Sequence, residues 1–210
     1  MNRTLRHFGL VAAFMVISGS ALAASSGWTR YTFPAAPPDK VVAPGTMTVK
    51  FPEGWHVTTT WKTATASNRW RGSWPNAYYL SGRDAMWWPG LDLVNPSTTI
   101  SDIRAGLLGW MGNQVWGKGT PLRVYVGDSY LTLPVGKVWR LTQALVPVKG
   151  ETDYTLHYER DYVLDRGIVT TTTGTQKHLF EQFTVICSAE FCKAHNGQLA
   201  AVMRSIRITP

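Results

Sequence analysis

The stretch LRVYVGDSYLTLPVGKVWRLTQALV, residues 122–146, decides the reading of the fold. Its runs 122–126, 130–133 and 138–146 are β-like, mixing apolar and polar residues with the short period at which a strand turns successive side chains to opposite faces. Gly127-Asp128 and Gly136-Lys137 separate the runs and read as turns between antiparallel strands. The rhythm continues downstream through 154–164, 168–173 and 178–186, with turn residues at Lys149-Gly150, Arg166-Gly167 and Gly174. Strand follows strand here with no helical period between them, which predicts an antiparallel meander.

Helical patterns bracket this meander. Ile100, Ile103, Leu107 and Met111 recur on one face, Thr99 and Asp102 have the spacing of a capping box, and Gly112 can end the helix. A final helix over about 188–205 turns Phe191, Leu199, Val202, Met203 and Ile206 inward. Upstream, 47–51 alternates, Pro52-Glu53-Gly54 turns the chain and 55–61 alternates again, a β-hairpin signal. The segment 62–96 is crowded with Trp, Tyr, Arg, Gly and Pro and holds no sustained period, so it reads as a Trp-rich insertion. Strands grouped together with helices at either side give an α+β class, an antiparallel sheet flanked by helices.

The first residues read as a targeting segment. Arg3 and Arg6 precede an apolar run over 8–17, and Ser18-Gly19-Ser20-Ala21-Leu22-Ala23 supplies the small-residue end of a secretory signal peptide. The run is shorter than the roughly 20 apolar residues that span a bilayer, so an uncleaved anchor is the weaker reading. The expected organisation is a signal peptide over 1–23, an extended Pro-rich lead-in over 24–45 and one domain over 46–210, exported to the periplasm or secreted. Losing Arg3 and Arg6 takes the formal charge from +8 to +6, and a basic exported protein meets anionic envelope surfaces or acidic partners rather than genomic nucleic acid. With 44% hydrophobic and 16% charged residues, disorder and a coiled coil are excluded.

Cys187 and Cys192 are the only two cysteines, and in an oxidising compartment a pair is most simply a disulfide. A redox-active pair usually has the tighter Cys-x-x-Cys spacing, and Cys192 with His195 offers half a zinc site without a second ligand pair.

Phe51-Pro52-Glu53-Gly54-Trp55, the long antiparallel middle and a last helix running into Met203-Arg204-Ser205-Ile206-Arg207-Ile208 resemble the PsbP/Mog-like superfamily. The resemblance implies an α/β/α sandwich and a protein that acts as an accessory or partner-binding component rather than an enzyme. It assigns no functional residue here.

Val126-Gly127-Asp128-Ser129-Tyr130-Leu131 is similar to the nucleophile block of GDSL-type hydrolases, but no Asp-x-x-His follows it, and Gly-Asp between alternating runs is an ordinary turn. His56, His157, His178 and His195 are dispersed and form no visible ligand cluster, so no metal is expected. Strand alternation puts Glu159 and Asp161 on one face and Arg160 on the other, a pattern expected of a solvated charged face. No Gly-rich phosphate loop is present and no cofactor is expected.

Aromatic and basic residues interleave in the insertion. Trp70, Trp74, Tyr78, Tyr79, Trp87 and Trp88 alternate with Arg69, Arg71 and Arg83, and such rings stack on sugars or partner side chains while Arg supplies directional hydrogen bonds. The same rings can equally pack as a satellite core. The sequence therefore points to an exported, non-enzymatic accessory or binding protein of the cell envelope, with a protein partner or an anionic envelope component such as a glycan. A glycan-binding module using the Trp-rich segment and a small hydrolase using Ser129 are the alternatives.

Overall fold

The computed structural model describes residues 27–61, 76–79, 84–112, 122–146 and 156–210. The expected signal peptide and its expected cleavage point lie outside these residues. Ten strands and two helices are described: β1 (Trp28–Pro34), β2 (Thr46–Pro52), β3 (Trp55–Thr58), β4 (Asn76–Tyr79), β5 (Ala85–Val94), α1 (Ile100–Gly112), β6 (Leu122–Leu133), β7 (Gly136–Val146), β8 (His157–Thr170), β9 (Gln176–Ser188), α2 (Ala189–Ser205) and β10 (Arg207–Thr209). They form a seven-stranded sheet ordered β3-β4-β5-β9-β8-β7-β6 and a three-stranded sheet ordered β1-β2-β10, with antiparallel pairing throughout. The class is α+β, as the strand and helix patterns indicate.

Alternate residues of the large sheet feed two separate cores. Val138, Tyr162, Leu164, Phe183 and Val185 pack with Phe191, Leu199, Val202 and Met203 of α2 and with Met47, Val49 and Phe51 of the small sheet. Trp139, Leu141, Val163 and Phe180, one position out of phase, pack with Ile100, Ile103, Leu107, Leu108 and Met111 of α1. The side carrying α2 is thus shared with a three-stranded sheet, so helices alone do not flank the large one.

Both helices start where their caps dictate. Thr99 donates from its backbone N–H and its hydroxyl to Asp102 Oδ2 at 2.8 and 2.7 Å, and Asp102 N–H returns a bond to Thr99 Oγ1 at 3.3 Å. Ser188 Oγ accepts from Phe191 N–H at 3.2 Å to open α2. The Cys187–Cys192 disulfide ties the end of β9 to the first turn of α2.

Three local expectations are corrected. First, 47–51 and 55–61 do not form a hairpin with each other. β2 pairs with β1 and β10, whereas β3 pairs with β4 in the other sheet, and the turn at Gly54 (φ +90°) carries the chain between them. Alternation marks a strand without naming its partner. Second, Gly127-Asp128 and Arg166-Gly167 are bulges inside the continuous strands β6 and β8. At the first, Val126 is the extra residue, and Asp128 is held on the sheet face by bonds from Arg104 Nε (2.7 Å), Tyr125 Oη (2.6 Å) and Trp139 Nε1 (2.7 Å). At the second, Gly167 takes φ +75° and donates its N–H to Asp165 Oδ1 at 2.8 Å. Third, the Pro-rich lead-in and the Trp-rich segment both contribute strands. β5 pairs with β9 along its whole length despite Pro89, and Trp28–Pro34 is an edge strand of the small sheet. In the loop joining β1 to β2, Gly45 (φ +76°) leaves no room for a side chain, because a Cβ there would lie 2.5 Å from the Thr209 carbonyl oxygen.

Candidate functional site

The face of the large sheet that packs under α1 is apolar only in part. Beyond Trp139, Leu141, Val163 and Phe180, the same parity of the strands brings Gln143, Glu159, Asp161, Gln182 and Thr184 together, and all but the half-buried Gln182 are buried. The register accounts for the grouping: Gln143 lies opposite Glu159, Asp161 opposite Thr184, Thr184 opposite Trp88 and Gln182 opposite Gly90. With Leu107 and Trp110 from the C-terminal half of α1 and Arg123 from β6, these residues line a pocket of about 360 Å³.

Its floor is a fixed hydrogen-bond network. Gln143 Nε2 donates to Glu159 Oε1 at 3.0 Å and to Asp161 Oδ2 at 2.9 Å. Asp161 Oδ1 accepts from Thr184 Oγ1 and from Gln182 Nε2, both at 2.7 Å. Glu159 Oε2 accepts from Arg123 Nη1 at 2.7 Å, and the Arg123 guanidinium lies 5.1 Å above the Trp110 ring. When both carboxyls are ionised only the NH₂ end of the amide can face them, which sets its orientation. Gln143 Oε1 consequently points away from both, and this buried acceptor has no hydrogen-bond partner among the described residues.

Electrostatics follow from burial. Desolvation pushes the Glu159 carboxyl up to about 7, with the Asp161 charge adding to it and Arg123 opposing both. Burial likewise raises Asp161, against the hydrogen bonds from Thr184, Gln182 and Gln143. The expectation of a solvated face for Glu159 and Asp161 is therefore corrected: their side is the covered one, and their exposures are 7% and 2%.

The residues singled out for an aromatic contact surface separate. Trp88 is half-buried and forms a wall of the pocket. Trp87, its neighbour on the opposite face, is fully buried between Phe33 (centroids 5.9 Å) and Phe51 (5.2 Å), a core ring rather than a contact residue. Tyr78 and Tyr79 belong to β4 by their backbone pairing. Arg69, Trp70, Arg71, Trp74 and Arg83 lie outside the described residues. Trp110, Arg123, Gln143, Gln182 and Thr184 carried no signal in the sequence, because a polar residue at a covered strand position becomes visible only when both faces of the sheet are known to be covered.

Ser129, the nucleophile of the hydrolase alternative, lies in β6. Its Oγ accepts from Arg140 Nη2 at 3.1 Å, and it pairs across to the parity of β7 opposite that of Trp139 and Leu141. His178 bonds Asp165 through Nε2 at 2.6 Å and stacks on Phe180, while His195 stacks on Phe191 at a kink in α2.

No family model and no curated protein matches the chain. Among solved structures it is similar to CyanoP, the cyanobacterial PsbP of Synechocystis sp. PCC 6803, with a TM-score of 0.55 and 11% identity over 92% of this chain and 99% of that one. It is also similar to LpqN of Mycobacterium tuberculosis, described as involved in cell envelope biogenesis, with a TM-score of 0.53 and 12% identity over 87% of this chain and 92% of that one. The fold is PsbP-like, in agreement with the resemblance read from the two short motifs and the element order. At such identities the likeness carries the fold alone. No described helix is long and apolar enough to cross a membrane.

Proposed function

We propose that the protein is an exported accessory component of the cell envelope that binds a ligand without transforming it, and that the pocket between α1 and the sheet is its ligand site. The architecture is then the helix-flanked sandwich of the PsbP-like proteins with a small sheet added beside α2. The ligand is a polyhydroxylated, sugar-like group of an envelope glycan. The observation that carries this reading is Gln143 Oε1, a buried acceptor without a hydrogen-bond partner among the described residues, on a side chain that lines a pocket whose walls are Trp88 and Trp110 and whose floor is rich in further acceptors. Flat indole faces and directional acceptors together suit a sugar, which presents apolar C–H faces and an edge of hydroxyl donors.

Recognition fits the carboxylates better than hydrolysis does. Glycosidases place an acid and a base on either side of the bond to be cut. Here Glu159 and Asp161 share one donor, Gln143 Nε2, side by side on the pocket floor. The exported setting rests on the leader pattern and the disulfide, and an envelope role is supported by the description of LpqN.

Titration of the purified protein with envelope oligosaccharides, followed by calorimetry and tryptophan fluorescence, tests the reading. We expect saturable binding that Gly90→Leu abolishes. A Cβ at Gly90 would meet Gln182 Cβ at an ordinary 3.8 Å, so a larger side chain there fills the pocket without a backbone clash. Binding that survives Gly90→Leu unchanged would place the ligand elsewhere.

A further inference from the structure

The outer face of the three-stranded sheet carries a different chemistry. Arg30 on β1 stands directly opposite Lys50 on β2, and Arg207 on β10 stands opposite Thr48 of the same strand. Thr48 and Lys50 have the parity that turns away from Met47, Val49 and Phe51, which are buried in the core. Together with Ser205 at the end of α2, these residues line a small pocket of about 170 Å³.

Like charges directly opposite on a sheet oppose folding, and such pairs are normally relieved by a nearby carboxylate. None of the described ion pairs includes Arg30, Lys50 or Arg207. The cationic groups are nonetheless positioned. Lys50 donates its backbone N–H to Ser205 Oγ at 2.8 Å, and Arg207 donates from Nη1 to the carbonyls of Arg204 and Ile206, both at 2.8 Å. Those two bonds use one end of the Arg207 fork and leave Nε and Nη2 to donate elsewhere. Trp28, 39% exposed, lies on β1 at the parity of Arg30, two residues before it.

We propose that this face is a second site, distinct from the aromatic pocket, that docks on the phosphate headgroups of an anionic lipid surface through Arg30, Lys50 and Arg207. A tetrahedral phosphate offers several acceptor oxygens to converging cations, and guanidinium groups match it with paired donors. The hydroxyls of Thr48 and Ser205 border the same pocket. None of the residues that line it is aromatic, so it offers a sugar no ring to stack on, while its cations suit a phosphate. An exposed indole beside the cations suits the headgroup level of a bilayer, where amphipathic rings settle.

Flotation of the chain from residue 24 onward with vesicles of phosphatidylcholine, with and without phosphatidylglycerol, tests the site. We expect binding only to the anionic vesicles, weakening as salt rises. Replacing Arg30, Lys50 and Arg207 together by Gln should lower the partition by on the order of 100-fold, from about fivefold per surface cation. Removing the same number of charges at Lys137, Lys177 and Lys193 should change it less than about threefold if the pocket, rather than overall charge, is responsible. Equal losses in the two triple variants would overturn the site, as would failure of the wild-type chain to bind anionic vesicles. Release of vesicle-bound protein by millimolar inorganic phosphate at constant ionic strength would overturn the lipid source in favour of free phosphate. A melting temperature that does not fall in the first triple variant separates lost docking from lost folding.

Discussion

The two faces of the large sheet are built from the same strands and do different work. On the α2 side, Phe183 and Val185 of β9 enter an apolar core with Trp87, Met47 and Met203. On the α1 side, their neighbours Gln182 and Thr184 belong to a polar network with Asp161 and Gln143. Both faces bury apolar side chains, but the α1 side also carries a cluster of buried polar groups whose desolvation opposes folding unless their hydrogen bonds are complete. The proposed ligand site lies on that polar face.

The sharpest way to break this contrast is to delete volume on each side. Phe183→Ala, at a fully buried position in the α2-side core, should cost about 3–5 kcal/mol in urea unfolding. Leu107→Ala, at a half-buried position on the pocket wall, should cost roughly half of that. Equal costs would mean that both faces are packed alike.

Acidity marks both faces, with Glu159 buried under α1 and Glu181 buried at the parity of Phe183 and Val185 on the other side. Glu159 titrates near 7 in the folded chain against an ordinary value of 4.5, so the folded state binds the extra proton between those values. Stability then falls as pH rises from about 4.5 to 7, by on the order of 3 kcal/mol for this group. Glu181, also raised to about 7 by burial, acts in the same direction. Asp128, held well below the usual carboxylate range by bonds from Arg104, Tyr125 and Trp139, acts in the opposite sense, its contribution being lost as the medium becomes strongly acidic. Denaturation across pH 4.5–8 should show the decline, and Glu159→Gln should flatten part of it. A profile that rises over this window in the wild type would contradict the burial of Glu159.

The disulfide belongs wholly to the α2 side. Reducing Cys187–Cys192, which closes a loop of sequence separation 5, should cost about 2 kcal/mol and leave ligand binding at the pocket intact. Quantitative alkylation of both thiols in the native, unreduced protein would show instead that the bond does not form. The smallest stability effect should come from Gly90→Ala. It adds one Cβ on the pocket floor and should shift unfolding by less than about 1 kcal/mol, yet weaken binding measurably by calorimetry.

Much of this fold was legible in the sequence, and the reasons differ by element. Thr99, Asp102 and the Ile100–Ile103–Leu107–Met111 stripe announce α1 because capping and helical period are local properties. The inward stripe of α2 was readable for the same reason. Strand partners are not local: residues 47–51 and 55–58 alternate equally well whether or not they pair with each other, and the structure sends them to different sheets. Bulges at Tyr125/Gly127 and Asp165/Ile168 use the same Gly and Asp residues as turns, so six predicted runs become four strands. The candidate site was the least legible. Glu159 and Asp161 were placed on one face correctly, but a polar residue on a half-exposed strand and one on a covered strand look alike until α1 is seen to lie over them.

The small sheet also sets an order of events. Thr209 donates its hydroxyl to the Thr46 carbonyl across a sequence separation of 163, and Gly45 has no side chain where that strand arrives. β2 finds β1 within a few residues of its own synthesis, yet its other edge stays open until residue 209 has been made. Until then one edge of β2 is unpaired and the α2-side core lacks its last element, a partly folded state open to misassociation. Closure of β10 onto β2 is the step that ends that window.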